Sequence, residues 1–210
     1  MFIIDFDDTL FDTQSFKHAR MEKLLDLGVS VDDYTDSYRE ARNDDEGNAV
    51  YSSDRHAELL EARGYKYEDV LDAFLEVDER MADFVCPDAE DFLDNLYDYD
   101  VPKVLLSMGA PKFQELKVTR SGVDKHFDLI RFIPKNKADV VKELLEGYDE
   151  KVVFINDKIK ETIEVVEKNS GVTPISKICN KFPARDYVES GILHFSTLTQ
   201  IGEEIKRIMS

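Results

Sequence analysis

The chain has two cysteines, no tryptophan, nine glycines and six prolines among 210 residues, and each scarcity removes a class of protein. Cys86 and Cys179 form no C-x-x-C and no Cys/His ligand spacing, which argues against a disulfide framework and a structural zinc and points to a reducing compartment. So few glycines and prolines exclude collagen-like and low-complexity chains. No apolar run approaches the roughly 18 residues of a membrane span, and Met1 leads straight into Phe2-Ile3-Ile4-Asp5 with no basic leader or cleavage site. A cytoplasmic protein with no membrane partner is therefore expected. Basic residues are also short: 27 Lys and Arg against 45 Asp and Glu leave a net charge of −18. A nucleic-acid face needs clustered cations to displace counterions, so no nucleic-acid partner is expected.

What is present suits an ordinary soluble globular protein, with 42% hydrophobic and 34% charged residues. The length fits one large domain or a core with an insertion, at roughly 100–200 residues per domain. Short apolar runs at Phe2-Ile4, Val104-Leu106, Leu129-Phe132, Val152-Ile155, Ile175-Cys179 and Ile192-Phe195 read as buried strands. Between them lie helical stripes: Ala89, Phe92, Leu93 and Leu96; Val140, Val141, Leu144 and Leu145; Ile159, Ile163 and Val166. The alternation predicts an α/β fold, a parallel sheet covered by helices. Residues 15–83 break the pattern. They show no strand, and Val70, Phe74, Val77 and Met81 mark an amphipathic helix. This stretch is expected to be an all-helical insertion, with residues 1–14 and 84–210 making the core.

Chemistry concentrates at strand ends. Asp5-Phe6-Asp7-Asp8-Thr9 follows the first apolar run directly, placing carboxylates where ligands bind in open α/β sheets. Chance produces D-x-D-x-T somewhere in such a chain with a probability of about a tenth, and just after an apolar strand with roughly a hundredth. The second strand ends at Ser107-Met108-Gly109, a hydroxyl and amides suited to an anion. Lys135 and Lys137 stand before a helical run. The fourth strand ends at Asn156-Asp157, with Glu161 four residues on, and a carboxylate there suits Mg²⁺, a cation of hard oxygen ligands. Asp8 reads as a polar turn residue. His18, His56, His126 and His194 show no ligand spacing and read as structural. Lys17, Arg20, Arg39 and Arg42 could meet an anionic substrate, but the preferred reading is of solvated helix charges.

The order D-x-D-x-T, strand-Ser, Lys before a helix, strand-Asp resembles the haloacid dehalogenase-like hydrolase superfamily over nearly the whole chain. The resemblance implies a Rossmann-like core with residues 15–83 as a helical cap, hinged near residues 12 to 15 and 83 to 87. It implies Mg²⁺ held by Asp5, the carbonyl of Asp7, and Asp157. It makes Asp5 the nucleophile and Asp7 the acid and base, assigns Ser107, Met108, Gly109 and Lys137 to the phosphate, and leaves Thr9 to fix the loop. Lys137 is preferred over Lys135 because it enters the helix as the family's lysine does. Met108 replaces a common Asn. The acid at position 7 favours a phosphatase over a dehalogenase, which lacks it. The expected substrate is a small phosphorylated metabolite, a sugar phosphate or nucleoside monophosphate. A phosphomutase using the same aspartyl-phosphate and a catalytically idle binding protein remain as alternatives.

Overall fold

The strands carry apolar residues on both faces because both are covered. In the computed structural model, which describes residues 1–210, Phe2 and Ile4 of strand β1 (Phe2–Ile4) sit in one apolar cluster and Ile3 in another. Successive strand side chains point to opposite faces, so one strand serves two layers. Its partners are β2 (Lys103–Met108), β3 (Leu129–Ile133), β4 (Val152–Asn156), β5 (Val172–Lys177) and β6 (Leu193–Phe195). All pair in parallel, in the order β3-β2-β1-β4-β5-β6. Sequence neighbours part company between β1 and β4, and ligands bind in such α/β sheets at this switch point, outside the strand ends.

Three helices, α5 (Ala89–Asn95), α6 (Pro111–Ser121) and α10 (Leu198–Met209), bury apolar stripes on the Phe2 and Ile4 face. On the other face α7 (Lys137–Leu144) and α8 (Ile159–Lys168) pack through Ala138, Val141 and Val165. A short α9 (Ala184–Ser190) precedes β6. This is the expected Rossmann-like α/β fold. Two local expectations shift. β5 begins at Val172, three residues before the expected Ile175, and releases Ile178 and Cys179. Pro174, which counts against a central strand, instead pairs with Phe154. On α8 the most buried positions are Ile159, Thr162 and Val165, with Ile163 and Val166 at the margin.

Between β1 and β2 the chain makes α1 (Thr13–Asp26), α2 (Val31–Arg42), α3 (Ser53–Glu61) and α4 (Tyr67–Asp78), then a 3-10 turn, Met81–Phe84. Asp12, Ser30 and Ser52 cap the first three by accepting the amides of Ser15, Asp33 and Arg55. The helices share an apolar cluster of their own, including Leu24, Tyr34, Leu60, Val70 and Phe74. The chain leaves and re-enters the core side by side: the Asp12 amide donates to the Phe84 carbonyl at 2.7 Å, and the Cys86 amide to Leu10 at 2.8 Å.

Two polar residues are enclosed by the helical layer. Arg20, expected on a solvated face, is only 3% exposed. Its guanidinium lies 4.0 Å from the Phe74 ring centroid, donates to Ser53 Oγ at 2.7 Å and faces Asp78. A cation survives burial here because aromatic faces and a carboxylate replace water. His56, as expected, is structural: fully buried, it meets Ser37 Oγ at 2.9 Å and Tyr51 Oη at 3.1 Å. Burial, reinforced by Arg20, lowers its pKa to about 3. A neutral buried ring stabilises fully above the unfolded pKa, near 6.5, and that stability is lost as the pH falls toward 3. The unfolding free energy read from urea titrations should therefore decline below about pH 6.5, by up to about 1.4 kcal/mol per pH unit from this one group. Proton NMR should show the ring still neutral at pH 5, and an imidazolium there would refute the assignment.

Candidate active site

The loop after β1 is wound tightly. The Phe6 carbonyl accepts the amides of Thr9, Leu10 and Phe11, and Asp8 takes a left-handed conformation, φ 59°. A non-glycine residue tolerates this best when it is Asp or Asn. The winding throws Asp5, Asp7 and Asp8 into the cleft at the switch point, where β4 delivers Asn156 and Asp157. Asp5, 2% exposed, continues the sheet by donating its amide to Ile155 at 2.9 Å.

Asp5 is held by a lysine. Lys137 Nζ donates to Asp5 Oδ1 at 2.5 Å and to Asn156 Oδ1 at 3.1 Å, and lies 3.3 Å from Glu161. Of the two candidate lysines only Lys137 is here; Lys135 is exposed. Glu161 also pairs with Lys158 at 2.9 Å, so the fourth-motif acid orients lysines. Burial raises the Asp5 pKa, with Lys137 opposing. Thr9 lies 3.4 Å from Asp5 Oδ2, a long contact. Burial first, and then the charge of Asp5, push Asp157 up to about 8.

Asp157 Oδ1 is fully buried and has no hydrogen-bond partner. A buried carboxylate oxygen left without a donor, facing other acids, suits a divalent cation. Asp8, Asp157 and Cys179 bring one ligand atom each within 4.8 Å of one another. Asp8 is thus both the expected turn residue and part of the acidic cluster, and Cys179 Sγ approaches Asp157 Oδ2 at 3.6 Å. Burial raises the Cys179 pKa, keeping it a thiol.

Asp7 has partners that the sequence reading missed. It accepts from Thr13 Oγ1 at 2.5 Å and Gln114 Nε2 at 2.5 Å, and forms a close ion pair with Lys117. Burial disfavours its charge, but Lys117 outweighs this and the carboxyl lies below its usual range. Gln114 Nε2 also donates to Ser107 Oγ at 2.7 Å, linking two predicted site residues. Their signal was available: Gln114, Lys117, Val118 and Ser121 follow the spacing of a buried helix face and are buried together.

One expectation fails. The Gly109 amide, assigned to phosphate, already donates to the Ile133 carbonyl at 2.9 Å. The β2–β3 pairing extends one residue past Met108 and consumes it. Gly109 serves packing instead: a Cβ there would meet Gln114 Nε2 at 2.9 Å. Ser107 is fully buried at the end of β2 and Met108 is half-buried beside it.

The sequence profile of the haloacid dehalogenase-like hydrolases matches residues 1–164. No curated protein matches the sequence. Among solved structures, a haloacid dehalogenase-like hydrolase from Burkholderia xenovorans LB400 superposes with a TM-score of 0.74 at 20% identity, covering 96% of this chain and 94% of that one. A β-phosphoglucomutase from Thermotoga maritima gives 0.67 at 17%, covering 99% and 98%. The L-2-haloacid dehalogenase from Xanthobacter autotrophicus gives 0.64 at 18%, covering 98% and 97%. At such identities the likeness establishes the fold; a mutase and a dehalogenase share it, so the reaction is read from the site.

The crowding of Asp5 and Asp157 has a measurable consequence. A carboxyl whose folded pKa is raised destabilises the fold as the pH climbs through the interval between its unfolded and folded values. In EDTA near pH 8, Asp157→Asn should therefore melt several degrees above the native chain. Added divalent cation should stabilise the native chain and leave the variant unmoved. A variant that melts lower in EDTA would contradict this electrostatic account.

Proposed function

The chain belongs to the haloacid dehalogenase-like hydrolase family, and from this we propose that it is a Mg²⁺-dependent phosphatase of a small phosphorylated metabolite, acting through Asp5. The observation carrying this reading is a second carboxylate, Asp7, lining the same cleft as Met108, one of the residues expected at the phosphate. A leaving alkoxide needs a proton, and a leaving halide does not.

Asp5 attacks phosphorus; its bond to phosphorus forms as the ester P–O bond breaks, giving an aspartyl-phosphate. Water then attacks phosphorus, releases inorganic phosphate and restores the Asp5 carboxylate. Asp7 gives a proton to the alkoxide in the first half and takes one from the water in the second. Lys117, Thr13 and Gln114 hold Asp7 as an anion here, the state required in the second half. Its service as an acid requires protonation and loosening of those contacts. Lys137 and the Ser107 hydroxyl would meet the phosphoryl oxygens, and positioning with electrostatics supplies most catalysis in phosphoryl transfer. When bound by Asp5, the Asp7 carbonyl and Asp157, with Asp8 alongside, Mg²⁺ would offset the negative charge shared by nucleophile and phosphate. The helices of residues 15–83 serve as a cap that excludes water and selects the leaving group.

Phosphate release from sugar phosphates, nucleoside monophosphates and an aryl phosphate should require Mg²⁺ and stop in EDTA. Asp5→Asn should lower kcat by at least about a thousandfold, as loss of a nucleophile does. Release that survives the substitution would overturn the reading. Turnover that depends on an added bisphosphate would mark a phosphomutase.

A further inference from the structure

The cleft above the strand ends is small, about 140 Å³, against roughly 300–1,000 Å³ for a drug-sized site. It is also cationic in an acidic protein. Lys17, Arg42, Lys117, Lys158 and Lys181 line it, against Asp7 and Asp8. Two of these lysines are already committed, Lys117 to Asp7 and Lys158 to Glu161. Lys17 and Arg42 are not. They come from different helices, α1 and α2, and meet across one ring: Lys17 Nζ lies 5.4 Å and the Arg42 guanidinium carbon 5.8 Å from the Tyr38 centroid. Neither pairs with a carboxylate, although the chain has 45 of them. Burial, partly offset by Asp7, lowers the Lys17 pKa, and Arg42 adds to the fall. Two cations with no carboxylate in contact repel one another, and an arriving anion relieves that repulsion.

We propose that the substrate is a short phosphate monoester whose leaving group carries a second anionic group, held by Lys17 and Arg42 against Tyr38. The inference rests on the phosphatase reading of the same cleft and narrows its substrate. The phosphoryl end belongs to Ser107 and Lys137. The cap cations then measure both the charge and the length of what leaves. The small volume between these cations favours a leaving group shorter than a nucleoside. A carboxylate and a second phosphate share the required chemistry, since a guanidinium and an ammonium bind either through charge-assisted hydrogen bonds.

The test uses matched pairs on the full chain with Mg²⁺: 2-carboxyethyl phosphate against propyl phosphate, and 1,3-propanediol bisphosphate against its monophosphate. At least one charged ester should exceed its neutral partner in kcat/KM by about ten- to a hundredfold, mainly through KM, as a charged hydrogen bond implies. The pair that shows the preference identifies carboxylate or phosphate. Arg42→Gln, at an exposed position, should collapse the charged-to-neutral ratio toward one, with Lys17→Gln acting alike and Arg42→Lys retaining part of it. Equal turnover within both pairs, or a ratio unmoved by either Gln variant, would overturn the inference and leave the phosphatase reading standing. Failure to hydrolyse any of the four esters, or an aryl phosphate, would overturn both.

Discussion

The ion pair between Asp5 and Lys137 is the constraint on which the site depends. A carboxylate with almost no solvent exposure is costly unless a cation stands beside it, and here the cation comes from the first turn of α7, the helix that follows β3. Lys137 is shared with Asn156 and Glu161, so one ammonium ties the ends of β1, β4, α7 and α8 together. Glu161 in turn holds Lys158. Burial opposes charge on Lys158, and Asp5 and Glu161 outweigh it. The compensation is incomplete: Asp157, pressed by burial and by Asp5, keeps an oxygen with no donor. That unsatisfied carboxyl oxygen, beside Asp8, is what makes the floor of the cleft a place for a cation.

A second network spans the seam between the core and the helical layer. Gln114 joins Ser107 to Asp7, and Lys117 and Thr13 complete the enclosure of Asp7. One helical turn before Lys117, Phe113 packs edge-on against Tyr51 at 4.7 Å and lies 5.4 Å from the Arg20 guanidinium. Helix α6 therefore carries, on one surface, the groups that restrain the proposed acid and the aromatic contact to the helical layer. A displacement of that layer would act on Phe113, and through α6 on Lys117 and Gln114. This gives a physical route by which substrate closure could release Asp7 for proton transfer.

Much of the fold was legible because its signals are local. Apolar runs such as Val152-Ile155 and stripes such as Val70, Phe74, Val77 and Met81 need only neighbouring residues to be read. Asp5, Asp7, Ser107, Lys137 and Asp157 stood out because each follows a strand or opens a helix, and parallel strands deliver their ends to one edge. Where reading failed, the missing fact lay far along the chain. The Gly109 amide is taken by Ile133 because β2 and β3 pair one residue further than Ser107-Met108-Gly109 suggests. Arg20 looked like a surface charge until Phe74, Ser53 and Asp78 closed around it. Lys17 and Arg42 looked alike on their helices, but only tertiary packing brings them to one tyrosine over the cleft.

Strand periodicity and the order of motifs along the chain were enough to determine a parallel α/β sheet, an interrupting run of helices, and which carboxylates and hydroxyl gather at one end of it, while the preference for Lys137 over Lys135 came from the family resemblance. Side-chain alternation and strand polarity are properties of short segments, and they place residues without reference to the rest of the molecule. Which charges are spent on one another and which stay free was decided only by the folded structure. Pairing depends on distances between residues up to 132 positions apart, as in Lys137 and Asp5. The energy of each pair depends on how thoroughly its surroundings exclude water. Lys117 is therefore spoken for, Asp157 is left with a bare oxygen, and Lys17 with Arg42 faces the cleft unpaired.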